Sequence, residues 1–258
     1  MKITVLAENT AKNSTFEAEH GLSLYIETGS IKILFDMGQS DMFLRNAERL
    51  GIDIAKVDIA VLSHGHYDHT GGLEAFLNIN KTAPVYLSKF AFEPHYNGTE
   101  KYIGMNLNLM NNPRLIFTED FTEIAEGITL HSCNNAKKSF HLGSFGLYEK
   151  KGDSFIPDDF RHEQYLLIEE EGKKILISGC SHKGILNIVN WFDADVLVGG
   201  FHFSKLPLDD KLKGYATYLD GFSTNYFTCH CTGTEQYGFM KEHMKKLHYL
   251  STGDKIII

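Results

Sequence analysis

The chain has 258 residues, and its 25 basic and 33 acidic side chains give a formal net charge of −8. Hydrophobic residues make up 43% and charged residues 22%, which excludes a disordered chain, a collagen-like chain and a small disulfide-stabilised protein. The length suits one large α/β or layered α+β domain over residues 1–258. The acidic balance disfavours binding through nucleic-acid phosphates, so we expect a small-molecule substrate and no nucleic-acid partner.

The sequence contains no run of about 18 apolar residues, which predicts no membrane span and no membrane partner. It enters strand-like residues at once, without the apolar core of a signal peptide, so we expect a cytoplasmic location. The four cysteines show no Cys-x-x-Cys pair and are expected to be reduced thiols. Thirteen histidines beside a single tryptophan suggest metal binding.

Alternating apolar and polar residues predict strands, and apolar residues three and four apart predict helices. The first part of the chain is predicted to contain strands at 3–6, 22–27 and 31–35, a helix over 41–50, a strand at 57–62, a short helix over 73–77 and a strand at 84–87. The later part is predicted to contain short strands between 114 and 133, strands at 165–168 and 174–177, a helix over 185–191, a strand at 196–198, a helix over 212–219, a strand at 225–228, a helix over 234–247 and a strand at 255–258.

Residues 89–112 are rich in Asn, Tyr, Phe and Met and show no clean period. They are predicted to form a loop or a helical insertion near the active face. Elsewhere, four predicted strands end in polar segments that contain Asp36, residues 64–69, residues 180–182 and His230, and His202 follows a fifth strand. Loops at strand ends converge while the sheet holds them rigid, so we expect these segments to meet.

The strongest chemical signal is the segment 64–69, which holds three histidines and an aspartate in six residues. Alternate residues after a strand point the same way, so His64 and His66 are predicted to bind one metal at about 2.0–2.3 Å. Asp68 and His69 then turn toward a second position. These side chains suit zinc, with manganese or iron as alternatives, at one or two ions per chain. A His-rich surface loop without metal is the disfavoured alternative.

The segment 63–72, with the sequence Ser-His-Gly-His-Tyr-Asp-His-Thr-Gly-Gly, resembles the defining motif of the metallo-β-lactamase-fold superfamily. Residues 33–38 resemble the strand of that family that ends in Asp-x-Gly. The resemblance implies a four-layer αβ/βα sandwich with a dinuclear metal site at the sheet edges. Residues 179–185, 199–202 and 229–233 are similar, more narrowly, to a subgroup described as 7,8-dihydropterin-6-methyl-4-(β-D-ribofuranosyl)-aminobenzene-5′-phosphate synthase-like.

The resemblance implies metal ligands in three of the strand-end segments, namely residues 64–69, residues 180–182 and the segment that contains His230. It assigns the first metal to His64 and His66, the second to Asp68, His69 and His230, and later ligand positions to Cys180 and His182. Cys180 stands where most hydrolases of the superfamily have a bridging aspartate, and a simple buried thiol is an equal alternative there. His182 is preferred as the later ligand, with a hydrogen-bonding role as its alternative, and His162 is the other candidate for the third histidine. The missing aspartate predicts weaker or partial occupancy of the second metal.

Further roles are expected for side chains around the metals. Asp36 is expected to orient a ligand histidine. Asp68 and His202 are the predicted catalytic residues, and His202 is expected either to contact a substrate anion or to be structural. Aromatic side chains of the insertion are expected to stack on a flat ring if they face the metals, namely Phe90, Phe92, Tyr96 and Tyr102.

Three functions fit this sequence. The first is a metal-dependent enzyme that acts on a small phosphorylated or pterin-like molecule. The second is a metal-dependent hydrolase of a phosphodiester, thioester or lactone, the commoner activity of the fold. The third is a non-catalytic metal-binding redox or sensor protein. The fold alone does not choose among them.

Overall fold

Strands dominate the fold and are joined by short helices. The computed structural model describes every residue from Met1 to Ile258. The strands in chain order are β1 (Lys2–Ala7), β2 (Ser23–Glu27), β3 (Lys32–Phe35), β4 (Ile59–Val61), β5 (Val85–Ser88), β6 (His95–Asn97), β7 (Lys101–Tyr102), β8 (Leu115–Thr118), β9 (Phe121–Ala125), β10 (Ile128–His131), β11 (Leu147–Lys151), β12 (Ser154–Pro157), β13 (Tyr165–Glu170), β14 (Lys173–Ile177), β15 (Val196–Val198), β16 (Asn225–Thr228), β17 (Leu247–Tyr249) and β18 (Lys255–Ile257).

A side chain caps the start of the longest helix. Asp209 accepts hydrogen bonds from the first backbone N–H groups of the longest helix, which caps it. None of the helices is long and apolar enough to cross a membrane. The α-helices are α1 (Met42–Arg49), α2 (Tyr67–Thr70), α3 (Leu73–Ile79), α4 (Ile185–Trp191), α5 (Asp210–Asp220) and α6 (Thr234–Lys241), and 3-10 turns cover Ile54–Lys56, Leu107–Leu109 and His230–Thr232.

Two seven-stranded sheets have the same design. The first has the order β18-β1-β2-β3-β4-β5-β8, with parallel pairing from β3 onward. The second has the order β17-β16-β15-β14-β13-β10-β9, with parallel pairing from β14 to β17. The carboxyl ends of β3 and β4 in one sheet and of β14, β15 and β16 in the other lead into the polar segments predicted to converge.

Three apolar clusters divide the molecule into four layers. One cluster of 22 buried residues lies between the first sheet and helices α1 and α3. A second of 19 residues fills the space between the two sheets, where strands such as β2 and β13 face each other. A third of 18 residues joins the second sheet to α4, α5 and α6. The order of helix, sheet, sheet and helix confirms the predicted four-layer sandwich.

Two predicted segments differ from the structure in part. Residues 89–112 form loops, a 3-10 turn and the strands β6 and β7 rather than a helical insertion. β7 pairs with β6, and β6 pairs with β11, in a third, four-stranded sheet that β12 completes. The predicted helix over 234–247 ends at Lys241, and Leu247 instead starts β17 beside Tyr226. Leu247 is wholly buried there, so tertiary pairing outweighs the helical pattern of the sequence.

Candidate metal centre

The rim of the two sheets carries the predicted site, and left-handed backbone turns aim its side chains. Asp36, Ser181, His202 and His230 have φ values of 57°, 58°, 56° and 48°. Each follows the carboxyl end of a parallel strand. A side chain in this conformation leaves the direction of the strand, which turns these residues toward one space between the sheets.

Glycines allow the segment 64–72 to lie tightly against other backbone. A Cβ on Gly65 would lie 2.1 Å from the carbonyl oxygen of Ala91, and one on Gly71 would lie 2.2 Å from that of Gln39. Neither glycine has a positive φ, so space rather than conformation requires them. Ala91 belongs to the segment 89–112, which therefore supports the predicted metal loop from outside.

Asp36 connects two of the predicted ligands. Its Oδ2 accepts hydrogen bonds from His69 Nδ1 and from Ser63 Oγ, each at 2.7 Å, and its Oδ1 accepts one from Ser63 N. Because Ser63 Oγ donates to Asp36, it accepts from His64 Nδ1 at 2.8 Å. One buried carboxylate thus places the proton of both rings on Nδ1 and leaves each Nε2 as a lone pair. The structure gives Asp36 the orienting geometry expected from the sequence.

The first donor set contains His64, His66 and His182. A ring nitrogen of each lies within 4.8 Å of the others, and all three side chains are buried. His64 Nε2 and His182 Nε2 are 3.3 Å apart. Phe160 stacks on the His182 ring at a centroid distance of 4.6 Å, which fixes its plane.

The second donor set surrounds the carboxylate of Asp68. His230 Nε2 and His20 Nε2 lie 3.3 and 3.2 Å from Asp68 Oδ2, and His69 Nε2 lies 3.8 Å from it. Cys180 Sγ is 3.1 Å from His69 Nε2 and within 4.8 Å of the nearest ring nitrogen of His64. The structure therefore brings the sequence-predicted ligands together, with the Cys180 thiol between the two sets.

Lone pairs face one another in this second set. His230 Nδ1 donates to Asn9 Oδ1 at 2.8 Å, so the Nε2 of the neutral ring carries no proton. This atom is 3.3 Å from His69 Nε2, which is also a lone pair in the neutral ring. Two such nitrogens repel each other unless a proton or a metal ion lies between them. The nitrogen, carboxylate and sulfur donors fit a divalent transition metal ion.

Three histidines and one carboxylate of the site have pKa shifts that favour the forms able to bind a metal ion. Burial lowers the pKa of His64, His66 and His182 well below the ordinary range, so these rings are neutral at physiological pH. Burial opposes ionisation of Asp68, but the neighbouring His69 ring holds the pKa of this carboxyl well below its usual range. Metal ligands must be neutral imidazole and ionised carboxylate, and these three rings and Asp68 have those forms. Burial opposes protonation of His69, but Asp36 and Asp68 outweigh it and raise the pKa of this ring, so an ion bound there must displace its proton.

The comparison with protein families agrees with this geometry. The model of the metallo-beta-lactamase superfamily matches residues 17–218, which include the segment 63–72 and Cys180. The chain belongs to the metallo-β-lactamase superfamily.

Relatives within and around this superfamily match nearly the whole chain. An uncharacterized protein of Methanocaldococcus jannaschii is 32% identical over 240 residues, 90% of each chain. The 7,8-dihydropterin-6-methyl-4-(beta-D-ribofuranosyl)-aminobenzene-5′-phosphate synthase of the same organism is 31% identical over 285 residues, 100% of this chain and 96% of that protein. A solved metal-dependent hydrolase of the beta-lactamase superfamily is 32% identical, with a TM-score of 0.83 and 100% and 99% of the two chains covered.

For this member of the superfamily, the sequence left two candidates for the third histidine. The His182 ring lies with His64 and His66, whereas His162 Nδ1 accepts a hydrogen bond from Gly65 N at 3.0 Å. With Nδ1 as acceptor, the neutral His162 ring carries its proton on Nε2, which lies 3.4 Å from a carboxylate oxygen of Asp158. This ring therefore has no free lone pair, and the geometry favours His182.

Sequence reasoning missed several side chains around the donor sets. His20 reaches Asp68 from the loop between β1 and β2. His95 Nδ1 donates to Asp158 at 2.8 Å, and a ring nitrogen of His66 lies within 4.8 Å of this pair. No local motif surrounds His20 or His95, and only the folded chain brings them to the site. The predicted ligand Cys180 also has a neighbour, Cys231, that the spacing did not reveal.

A cavity of about 310 Å³ opens onto the donor sets. The predicted catalytic residues Asp68 and His202 both line it, and His202 Nδ1 is buried without a hydrogen-bond partner. The expected stacking residues of the segment 89–112 do not line it. They are instead occupied elsewhere: Phe92 packs on Phe117, Phe90 lies under Arg161, and Tyr96 packs between Tyr102 and Phe155.

Proposed function

We propose that the protein is a metal-dependent enzyme that acts on a small phosphorylated or pterin-like molecule. The observation that carries this proposal is the cavity that joins side chains of both donor sets to two exposed lysines, Lys101 and Lys205. Its volume of about 310 Å³ lies at the lower end of the range for small-molecule sites. The 31% identity to the dihydropterin synthase supports the same substrate class.

The lysines give the cavity a local positive charge in a chain of net charge −8. Lys101 Nζ lies 5.1 Å from the ring centre of Tyr67 and donates to its hydroxyl oxygen at 3.4 Å, which holds the ammonium group beside the cavity. Ammonium groups form charge-assisted hydrogen bonds with phosphate oxygens. Phe145 and the Tyr67 ring supply flat apolar surface for a heterocycle.

Divalent ions held by the two donor sets would supply Lewis-acid chemistry at a phosphoryl or carbonyl oxygen. The side chains of the chain divide the remaining work. We assign Asp68 Oδ2 the role of proton acceptor, because its carboxylate is ionised and lines the cavity. We assign His202 to contact with the substrate, because its ring lines the cavity 4.5 Å from Phe145.

A metal-dependent hydrolase of a phosphodiester, thioester or lactone is the second candidate. The similar solved structure is described as a metal-dependent hydrolase, and this observation favours the alternative. The thiol of Cys180 in place of a bridging carboxylate argues for slow hydrolysis at best, since thiolate ligands weaken the acidity of a bound ion.

The test compares substrates on the zinc- or manganese-loaded protein. The protein is offered four substrates in separate reactions: a phosphorylated ribosyl-aminobenzene paired with a dihydropterin, a phosphodiester, a thioester and a lactone. Chromatography follows the consumption of each. We expect the parent to turn over the phosphorylated pair. Lys101→Ala and Lys205→Ala should raise KM for this pair, and His64→Ala should show no turnover. The control Lys173→Ala alters an exposed lysine at the start of β14, outside the cavity, and should match the parent. Turnover confined to the phosphodiester, thioester or lactone selects the hydrolase, and metal binding without any turnover contradicts both enzymes.

A further inference from the structure

Cys231 places a second thiol beside Cys180. Their side chains are 6% and 2% exposed, and both line the cavity. Cys231 Sγ lies 3.4 Å from the carbonyl oxygen of Cys180. The two sulfurs and one ring nitrogen of His202 all lie within 4.8 Å of one another. This third donor set contains two sulfurs, whereas the first contains none.

The neighbouring backbone leaves room for the Cys231 thiol. A Cβ on Gly200 would lie only 2.3 Å from Cys231 Sγ, and the φ of Gly200 is not positive. Space for the sulfur is therefore the reason for glycine at this position. By contrast, Cys229 is wholly buried in the apolar cluster between the sheets. Of the two cysteines that flank His230, only Cys231 faces the cavity.

His202 completes the set from the adjacent strand end. Its backbone is left-handed, with φ of 56°, which is a costly conformation for a residue other than glycine. Its Nδ1 is buried and has no hydrogen-bond partner. A strained residue that lines a cavity and has a buried, unsatisfied polar atom is typical of a binding site.

We infer that Cys180, His202 and Cys231 form a binding site for a thiophilic d10 ion such as Zn²⁺, with Cd²⁺ as its spectroscopic substitute. Thiolate sulfur selects these ions over Mg²⁺ and Mn²⁺. Two thiolates and one neutral imidazole balance the charge of a divalent ion, so the buried site is neutral when filled. The inference shares two residues with the proposed function, Cys180 and His202, and rests on it in no other way. Binding of the soft ion draws Cys180 away from the other donor sets and His202 away from the substrate.

Sulfur-to-cadmium charge-transfer absorption in the ultraviolet counts the thiolates bound to the ion. The full-length protein is titrated with Cd²⁺ in the presence of a phosphine reductant. Because the parent offers two thiolates, Cys180→Ser and Cys231→Ser should each reduce the absorption to about half. His202→Ala should retain the full absorption and weaken Cd²⁺ binding about 10-fold or more. The matched control Cys133→Ser removes a half-buried thiol outside the cavity and should match the parent.

Absorption in Cys231→Ser equal to that of the parent would overturn the inference, since Cys180 would then be the only thiolate ligand. Unchanged Cd²⁺ affinity in His202→Ala would overturn the role of the imidazole. The outcome is separable from that of the proposed function. His64→Ala should lose the ion of the first donor set and any turnover but keep the sulfur absorption, and an inactive parent that shows two-thiolate absorption leaves the inference standing.

Discussion

Replacing Asp36 by Asn tests whether one carboxylate prepares both donor sets. Asp36 Oδ2 accepts directly from His69 Nδ1, and it orients His64 through Ser63 Oγ. An amide has the same shape but only one oxygen, so its NH₂ group must face a group that donates a hydrogen bond to Asp36 in the parent. When NH₂ takes the place of Oδ2, it faces the Nδ1 proton of His69. The His69 ring can then satisfy the amide only by moving its proton to Nε2, the atom that points at His230.

The expected magnitude follows from this geometry. Loss of a hydrogen-bond partner of a ligand histidine weakens metal binding about 10- to 100-fold, or about 1.4 to 2.7 kcal/mol per ion. We expect the upper part of this range, because Asp36 is 0% exposed and no water replaces the carboxylate. The unpaired buried donor should also lower the free energy of unfolding of the metal-free protein by about 1–3 kcal/mol.

Competition with a chromophoric zinc chelator measures both binding steps in the parent and in Asp36→Asn. Asp195→Asn is the matched control, because Asp195 accepts from Lys174 N at the opposite end of β15 and is exposed. Zinc affinities of Asp36→Asn equal to those of the parent would refute the tautomer argument. A weakened affinity in Asp195→Asn would show that the effect is a general one on the sheet.

Further predictions address the other features of the site. His64→Ala or His66→Ala should each remove the ion of the first donor set, as measured by elemental analysis. Burial holds the pKa of His162 at about 4, below the ordinary 6.5. The unfolding free energy of the metal-free protein should therefore fall by up to about 3 kcal/mol as the pH drops from 6.5 to 4. Urea melts of His162→Gln should show a smaller change of unfolding free energy over the same pH range. Gly65→Ala should lower the free energy of unfolding by about 1–3 kcal/mol, because the added Cβ would clash with the Ala91 backbone. Gly214→Ala, in helix α5, should not lower it, because nothing lies within 4 Å of the added Cβ. Gel-shift assays at physiological salt should show negligible DNA or RNA binding.

The convergence of the polar segments at the strand ends could be predicted from the sequence. Parallel strands have their carboxyl ends at one edge, so the segments after β3, β4, β14, β15 and β16 had to meet once the alternation of strands and helices was recognised. The apolar patterns of these strands are local, and so is the motif at 64–69. Local signals of this kind give the alternation of strands and helices and most of the donor residues, whereas the four layers followed from the resemblance to the superfamily.

Contacts made only by tertiary packing were not predictable. His20 enters the site from a loop whose neighbours in sequence give no sign of metal chemistry, and the sequence does not show which of the two cysteines beside His230 faces Cys180. The aromatic residues of 89–112 appeared available for stacking, but burial against Phe117 and Phe155 satisfies them first. The choice between His162 and His182 depended on a single hydrogen bond from Gly65, and no spacing rule encodes that bond.

The left-handed residues at the rim have a consequence for efforts to stabilise this protein. Asp36, His202 and His230 each hold a conformation that costs a side-chain-bearing residue about 1–2 kcal/mol and costs glycine almost nothing. A screen that selects only for heat resistance should therefore find glycine attractive at these positions. Each such gain removes a donor or an orienting group from the centre. Resistance to heat and capacity for metal are thus in competition at the same backbone torsions, and a screen that also scores bound metal is needed to separate them.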